Sequence, residues 1–365
     1  MPALPFEYRF KLQRLFTIVV AWQIVAVLTT LYERTVSASA VMQRGSVSFD
    51  FSTALGFNMA AALMGALMGG SFLVFYVNVR FRDRPYAWTV IAVAASFVLV
   101  VAVITALLGA FVALGAGRSF ADPQVQAAFV AFVTDPLHAK NIILWGPVVM
   151  LTQFTLQISD KFGPRVLWHF LWGRYNVPRE EERIFMFADL KSSTTIALRL
   201  DNERYHRFLR DYFADLTDPI QYNRGEIYQY VGDEIVVSWN ASDGLAGSAC
   251  LNCFFQMRAA IALKAPKYVE RYGAVPAFKA GMHIGHVIAG EFGIIKRDIT
   301  YSGDVLNTTS RIQGVCNTYE VDLLCSDNLV RRLPPDGRHR VTSRGLVELK
   351  GKGMKTGVNS VTLRD

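Results

Sequence analysis

Four stretches of the chain are too long and too apolar to be ordinary core. They run approximately from Leu15 to Tyr32, Ala54 to Val79, Tyr86 to Ala116 and Asn141 to Ser159. About 20 apolar residues, at 1.5 Å of rise each, suffice to cross a bilayer. In hydrocarbon every backbone N–H and C=O must be satisfied within its own segment, so each stretch is expected to be a helix. The 365 residues are 52% hydrophobic and 19% charged, richer in apolar side chains than a water-soluble chain requires. The excess is uneven, because charges become dense only from Lys161 onward. A four-helix membrane half over 1–160, a linker over 161–180 and a soluble half over 181–365 follow from that division.

Arg9, Lys11 and Arg14 precede the first span, which its flanks and length mark as a retained anchor and not a cleavable signal peptide. Arg80, Arg82 and Arg84 crowd the link between the second and third spans, and Lys161, Arg165, Arg174, Arg179 and Arg183 follow the fourth. The other two loops hold fewer: Arg34 and Arg44 in one, Arg118 and Lys140 in the other. By the positive-inside rule both termini are cytoplasmic, with the chain in the plasma (inner) membrane. Gly65, Gly69 and Gly70 in the second span permit close helix approach. Asn58, the most polar side chain within a span, calls for a hydrogen bond to a neighbouring helix. The spans carry no row of ionisable groups such as a pump needs, and no histidine well inside one that would suit a haem bundle.

The formal charge of +8 does not point to nucleic acid, because no Lys/Arg run is interleaved with aromatics and several arginines flank the spans. Cys250 and Cys253 lie in SACLNCFFQMRAAIAL, an apolar helical pattern without a second pair of metal ligands. They read as buried thiols of a reducing compartment. In the linker, Val166, Leu167, Phe170 and Leu171 recur at helical spacing beside Trp168 and Trp172. That spacing predicts a short helix at the membrane surface, ended by Pro178.

The soluble half reads as strand, helix, hairpin, helix, strand and further strands, an α+β or α/β domain. IFMFADL is an apolar strand ending at Asp189. The segment after it, with Ile196, Leu200, Tyr205, Leu209, Tyr212 and Leu216 on one face, reads as a helix. Ser192, Ser193 and Thr194 are first-turn residues whose N–H groups suit an anion. IYQYVGDEIVVSW puts Asp233 in the turn of a hairpin. If that hairpin pairs with IFMFADL, Asp189 and Asp233 meet at one sheet edge. Two carboxylates so close repel unless divalent cations lie between them, and all-oxygen ligands select Mg²⁺ or Mn²⁺ over zinc. In RDITYSGDVLNTTSRIQ a glycine turn leads into a helix near Val305 that carries Asn307 and Arg311 four residues apart.

FADLKSST from Phe187, YVGD ending at Asp233, HIGHVIAG from His283, DITYSGD from Asp298 through NTTSR at Asn307–Arg311, and LKG from Leu349 stand in this order and spacing. Together they resemble class III nucleotidyl cyclases over essentially everything from about Glu180 to the C-terminus. The resemblance implies a ferredoxin-like, palm-related catalytic domain over 181–365 that works as a homodimer with active sites across the interface. Asp189 and Asp233 would hold two Mg²⁺ (or Mn²⁺) ions per active site, with the Leu190 carbonyl as a further ligand. Asn307 and Arg311 would come from the opposite protomer to position the ribose and stabilise the transition state. Lys350 would reach the triphosphate, with Lys352 as a substitute.

Base choice would rest on Gln229 and Thr300. Adenylate-specific members usually carry Lys with Asp or Thr at these positions, and guanylate cyclases Glu with Cys. The amide of Gln229 suits either purine and Thr300 is the adenine-type partner, so ATP is the favoured substrate. Ser192 stands where many relatives have Gly, and Ser302 and Leu306 are also unusual; none of these departures removes a catalytic group. The alternatives are a guanylate cyclase, or a catalytically weak membrane receptor that only binds nucleotide. A diguanylate cyclase is disfavoured because its GG[DE]EF turn is absent.

Overall fold

The computed structural model describes residues 6–37, 50–81, 84–114, 119–135, 137–162, 173–295, 297–335, 337–348 and 355–364. The chain forms two compact units, Met1–Phe162 and Gly163–Asp365. The linker helix expected around Val166–Leu171 lies outside the described residues, as do Lys350 and Lys352.

In the first unit α1 (Phe6–Ser37), α2 (Phe51–Arg80), α3 (Tyr86–Leu114) and α5 (Leu137–Phe162) carry the four apolar stretches, and all four are long and apolar enough to cross a membrane. A fifth helix, α4 (Pro123–Val133), is apolar but too short to span. Asp122 starts it by accepting from the Gln124 N–H at 2.9 Å. Phe16, Leu99, Phe111, Ile143 and Leu151 are each at least 65% exposed, so the outer face suits hydrocarbon and not water.

Two ion pairs fasten α1 to α5 at opposite ends. Arg14 meets Asp160 at 2.5 Å, and Lys140 meets Glu33 at 2.5 Å. Along α1 these clamps stand about 29 Å apart by helical rise, close to the thickness of a bilayer's hydrocarbon. Between them α2 presents its glycines to α1. A Cβ at Gly70 would lie 3.2 Å from both Ile18 and Leu15, and one at Gly65 3.4 Å from the Trp22 ring. Asn58 finds its inter-helix partner in Thr30 Oγ1, to which it donates at 2.9 Å. From Ala66 to Gly70 and from Phe72 to Val77 the backbone of α2 widens into π-helix.

The second unit is built on an eight-stranded sheet: β1 (Arg179–Leu190), β2 (Glu226–Val231), β3 (Glu234–Asn240), β4 (Phe278–Phe292), β5 (Asp298–Ser302), β6 (Leu323–Ser326), β7 (His339–Glu348) and β8 (Lys355–Leu363). Their order is β2-β3-β1-β4-β6-β8-β7, with β5 on β4; among the described residues only β4 and β6 pair in parallel. β1 is central, paired antiparallel along its length to β4 and from Arg183 to Asp189 to β3.

Alternation along these strands sorts the side chains onto two faces. Ile184, Met186, Ala188 and Leu190 join Val237, Trp239, Met282 and Ile284 in the main core. Against that face pack α7 (Asn202–Tyr222) and α9 (Ala249–Leu263); the shorter α6 (Ser193–Arg199) and α8 (Ala241–Leu245) precede them. α7 buries Phe208, Tyr212, Leu216 and Ile220 at a four-residue repeat. Burying such side chains stabilises by roughly 1.5–3 kcal/mol each. The single helical face read across Ile196 to Leu216 is in fact interrupted. Leu200 turns extended, and Asp201 accepts from the Arg204 N–H at 2.8 Å to cap a new helix. The thiols of Cys250 and Cys253 are buried and unpaired in α9.

After the short α10 (Ala265–Tyr272), the other face of the sheet receives α11 (Asp304–Gly314). Its approach depends on Gly281 of β4, where a Cβ would lie 2.3 Å from the backbone N of Gln313. Phe185, Phe187, Val236, Val287 and Val305 form a smaller core there.

Candidate active site

From Ile184 to Ala188 β1 is apolar because it is buried on both faces there, and the charge that ends this run is Asp189, which is part-buried. The β2–β3 hairpin closes through two residues, Gly232 and Asp233, between the paired Val231 and Glu234. Gly232 has φ of 63°, which a residue with a Cβ adopts only at a cost. β1 pairs with β3 so that Asp189 stands opposite Glu234, the neighbour of Asp233. The pairing of IFMFADL with the hairpin thus brings Asp189 and Asp233 to one end of the sheet.

Their closeness is visible in the electrostatics. Burial, and then the charge of Asp233, push the Asp189 carboxyl above its usual range, against the lowering influence of Lys279 and Gln313. Glu234 is pushed up to about 7 by burial and then by Asp189 and Asp233. Three carboxyl groups therefore gather with a shortage of positive charge. Lys279, directly across the ladder on β4, is 3.5 Å from Asp189 Oδ2, and Gln313 Nε2 donates to the same oxygen at 3.1 Å. An all-oxygen set short of counter-charge fits a hard divalent cation. Among the described residues no cluster of three or more His, Cys, Asp or Glu forms a ready cage, so substrate oxygens and backbone carbonyls would have to complete the coordination. Leu190 buries its side chain in the main core, leaving its backbone as the part that can face a ligand.

Ser192 occupies the left-handed region, φ 55° and ψ 29°, at the start of α6, followed by Ser193 and Thr194 in its first turn. A serine pays roughly 1–2 kcal/mol there that glycine does not, which accounts for glycine's suitability at this position.

α11 buries Val305, Thr308, Thr309, Ile312 and Gln313 against the sheet. Asn307 is exposed and Arg311 partly so, on the side of the helix facing away. Within one chain, then, it is Gln313 and not Asn307 or Arg311 that touches Asp189.

Gln229 lies exposed on the edge strand β2, next to a register shift at Tyr228. Thr300 on β5 pairs with Gly290, and its hydroxyl is buried with no hydrogen-bond partner among the described residues. The strands carrying these two are tied through their neighbours. The Tyr301 N–H donates to the Tyr228 hydroxyl at 3.4 Å, and the two rings lie 5.0 Å apart. Beneath them Arg183, 1% exposed, donates to Glu181 and to Glu226 at 2.9 Å each, and its guanidinium stands 4.5 Å over the Tyr301 ring.

Sequence reading missed Gln313, Lys279 and this arginine cluster. Gln313 stands two residues from Arg311 on α11, but its inward side is set only by how that helix packs, and Lys279 emerges only from the β1–β4 register.

Residues 176–360 match the family model described as "Adenylate and Guanylate cyclase catalytic domain". The chain is 38% identical over 231 residues to "Adenylate cyclase 2" of Rhizobium meliloti, covering 62% of this chain and 62% of that protein. It is 29% identical over 174 residues to "Adenylate cyclase" of Anabaena cylindrica, covering 46% of this chain and 34% of that one. It thus spans less than two thirds of either relative. Among solved structures, a bacterial light-regulated adenylyl cyclase superposes with a TM-score of 0.51 at 17% identity, over 63% of this chain and 66% of that one, a likeness of fold.

Proposed function

This chain belongs to the adenylate and guanylate cyclase catalytic-domain family, and on that premise we propose that it is a membrane-anchored adenylate cyclase. It converts ATP to 3′,5′-cyclic AMP and pyrophosphate at sites shared by two copies of the chain. The observation that carries this reading is the division of the site: Asp189 and Asp233 gather at one end of the sheet, while α11 directs Asn307 and Arg311 away from them. A second copy supplies what each half lacks.

Asp189, Asp233 and the Leu190 carbonyl would hold the divalent ions. Two Mg²⁺ or Mn²⁺ per site, when bound, lower the pKa of the ribose 3′-hydroxyl and neutralise the departing pyrophosphate. The 3′-oxygen bonds to the α-phosphorus as the bond to the bridging oxygen breaks, and the hydroxyl proton leaves to solvent or to the phosphates. Asn307 of the second copy orients the ribose, and its Arg311 neutralises charge building on the α-phosphate. Ser192, Ser193 and Thr194 turn their backbone toward the phosphates, with Lys350, or Lys352, on the triphosphate. Gln229 and the buried hydroxyl of Thr300 meet the base; neither is a guanine-type residue, which favours ATP over GTP.

The four spans of residues 1–160 anchor the chain in the inner membrane, with the N-terminus and the catalytic domain over 181–365 in the cytoplasm and 161–180 linking the two. A mixture of Asp189→Ala and Arg311→Ala chains, each inactive alone, should recover activity from one of its two composite sites. Recovery with ATP and Mn²⁺ supports the assignment, recovery with GTP alone moves it to guanylate cyclase, and no recovery with either defeats shared sites.

A further inference from the structure

The first unit holds a part-open cavity of about 470 Å³ between α1, α2, α3 and α5. Its walls are largely apolar: Trp22, Phe97, Ile104 and Trp145 border it, with the two indole rings 5.7 Å apart. At one end the lining becomes polar with Asn58 and Asn141. Asn58 also reaches Glu33 at 3.3 Å, beside the Glu33–Lys140 ion pair that closes this end of the helices. α4 stands against the same region. His138 Nε2 lies 2.6 Å from the Phe132 carbonyl oxygen, and both residues line the cavity.

Small residues of α2, Ala61, Ala62, Gly65 and Gly69, leave room along this cavity. Gly65, at the end of the regular part of α2, and Gly69 and Leu73 of its π-helical stretch form one wall, and such widened turns recur at functional sites. At Gly69 a Cβ would find its nearest neighbours at 3.9 and 4.0 Å, on Trp22 and Val100. The space beyond is therefore unused by protein. Pockets of this volume with apolar walls and a few convergent polar groups are typical of small-molecule sites.

We propose that this cavity is a binding site for an amphiphile, an unbranched apolar chain lying along Trp22, Phe97 and Trp145 with a hydrogen-bonding head at Asn58 and Asn141. Such chemistry can come from a diffusible amphiphile or from one chain of a bilayer lipid. The inference does not depend on which nucleotide the second unit uses.

The test uses the full chain in nanodiscs with a diazirine-bearing octanol, photolysed and mapped by peptide mass spectrometry. Labelling is expected to be saturable and concentrated on the segments around Asn58–Gly69, Phe97–Ile104 and Asn141–Val149. Loss of label under excess plain octanol in every lipid assigns the site to a diffusible amphiphile. Label that appears only when the nanodisc lipid is changed from straight-chain to branched diphytanoyl phospholipid assigns it to a resident lipid chain. Gly69→Met, and separately Ile104→Trp to cover a failure of the first to fold, should fill the space and reduce cavity labelling to background. Labelling of the outward Phe16 and Leu151 should be unchanged. Label spread evenly over outward residues, non-saturable and insensitive to both substitutions, would overturn the proposal.

Discussion

The seating of α11 on the sheet can be tested by adding single methyl groups at two glycines of β4. In Gly281→Ala the new Cβ is 2.3 Å from the Gln313 N, 2.7 Å from its Cα and 2.8 Å from the Thr309 carbonyl oxygen. All three obstacles are backbone, so no rotamer relieves them. Ordinary contact begins near 3.4 Å, and the helix must retreat by roughly 1 Å. Overpacking of this kind costs about 1–3 kcal/mol, and a backbone obstacle places it at the upper end. In a domain of this size that corresponds to a fall in Tm of roughly 6–12 °C. The same retreat separates Gln313 from Asp189 and shifts Asn307 and Arg311, and a misplacement of about 1 Å at a catalytic group costs on the order of 10²-fold in rate. Gly285→Ala meets Val305 Cγ2 at 2.6 Å, a side-chain atom that can rotate away, so its cost should be about 1 kcal/mol with a modest loss of rate. Thermal unfolding and nucleotide cyclisation by the two variants should fall in that order. Equal effects, or a worse outcome at Gly285, would refute the argument from backbone contact.

Two further substitutions or treatments probe the second unit. Arg183→Met strands Glu181 and Glu226 beside a buried site and should destabilise by about 3–5 kcal/mol in denaturant unfolding; a loss under about 1 kcal/mol would mean the cluster is far wetter than its burial implies. All four cysteines are buried and unpaired. Burial pushes Cys250 and Cys316 up to about 12 and raises Cys253 and Cys325 as well. The reactive thiolate is the major form only above the pKa and is a minute fraction several units below it, and burial bars access, so maleimide should label none of them appreciably between pH 7 and 9 and all four once the chain is denatured. Rapid modification of any one in the native protein at pH 8 would contradict the packing.

The sequence by itself determined the four long apolar helices of the first unit, because length and apolarity act locally and a helix is the one way a lone segment satisfies its backbone in hydrocarbon. It also determined which residue types could serve a nucleotide site, since Asp189, Asp233, Asn307 and Arg311 sit in short motifs that are read without knowing their neighbours. What it left open concerned relations between distant segments. The β1–β4 register alone sets Lys279 opposite Asp189. Only the packing of α11 over Gly281 decides that Gln313 faces the carboxylate while Arg311 faces outward. The break at Leu200 escaped the periodicity because both helices bury the same face, so the hydrophobic pattern runs on across the interruption. In the first unit, composition called for helices but was silent about the widened turns of α2 and the space beside Trp22. A void is a property of several surfaces failing to meet, and no one segment of chain encodes it.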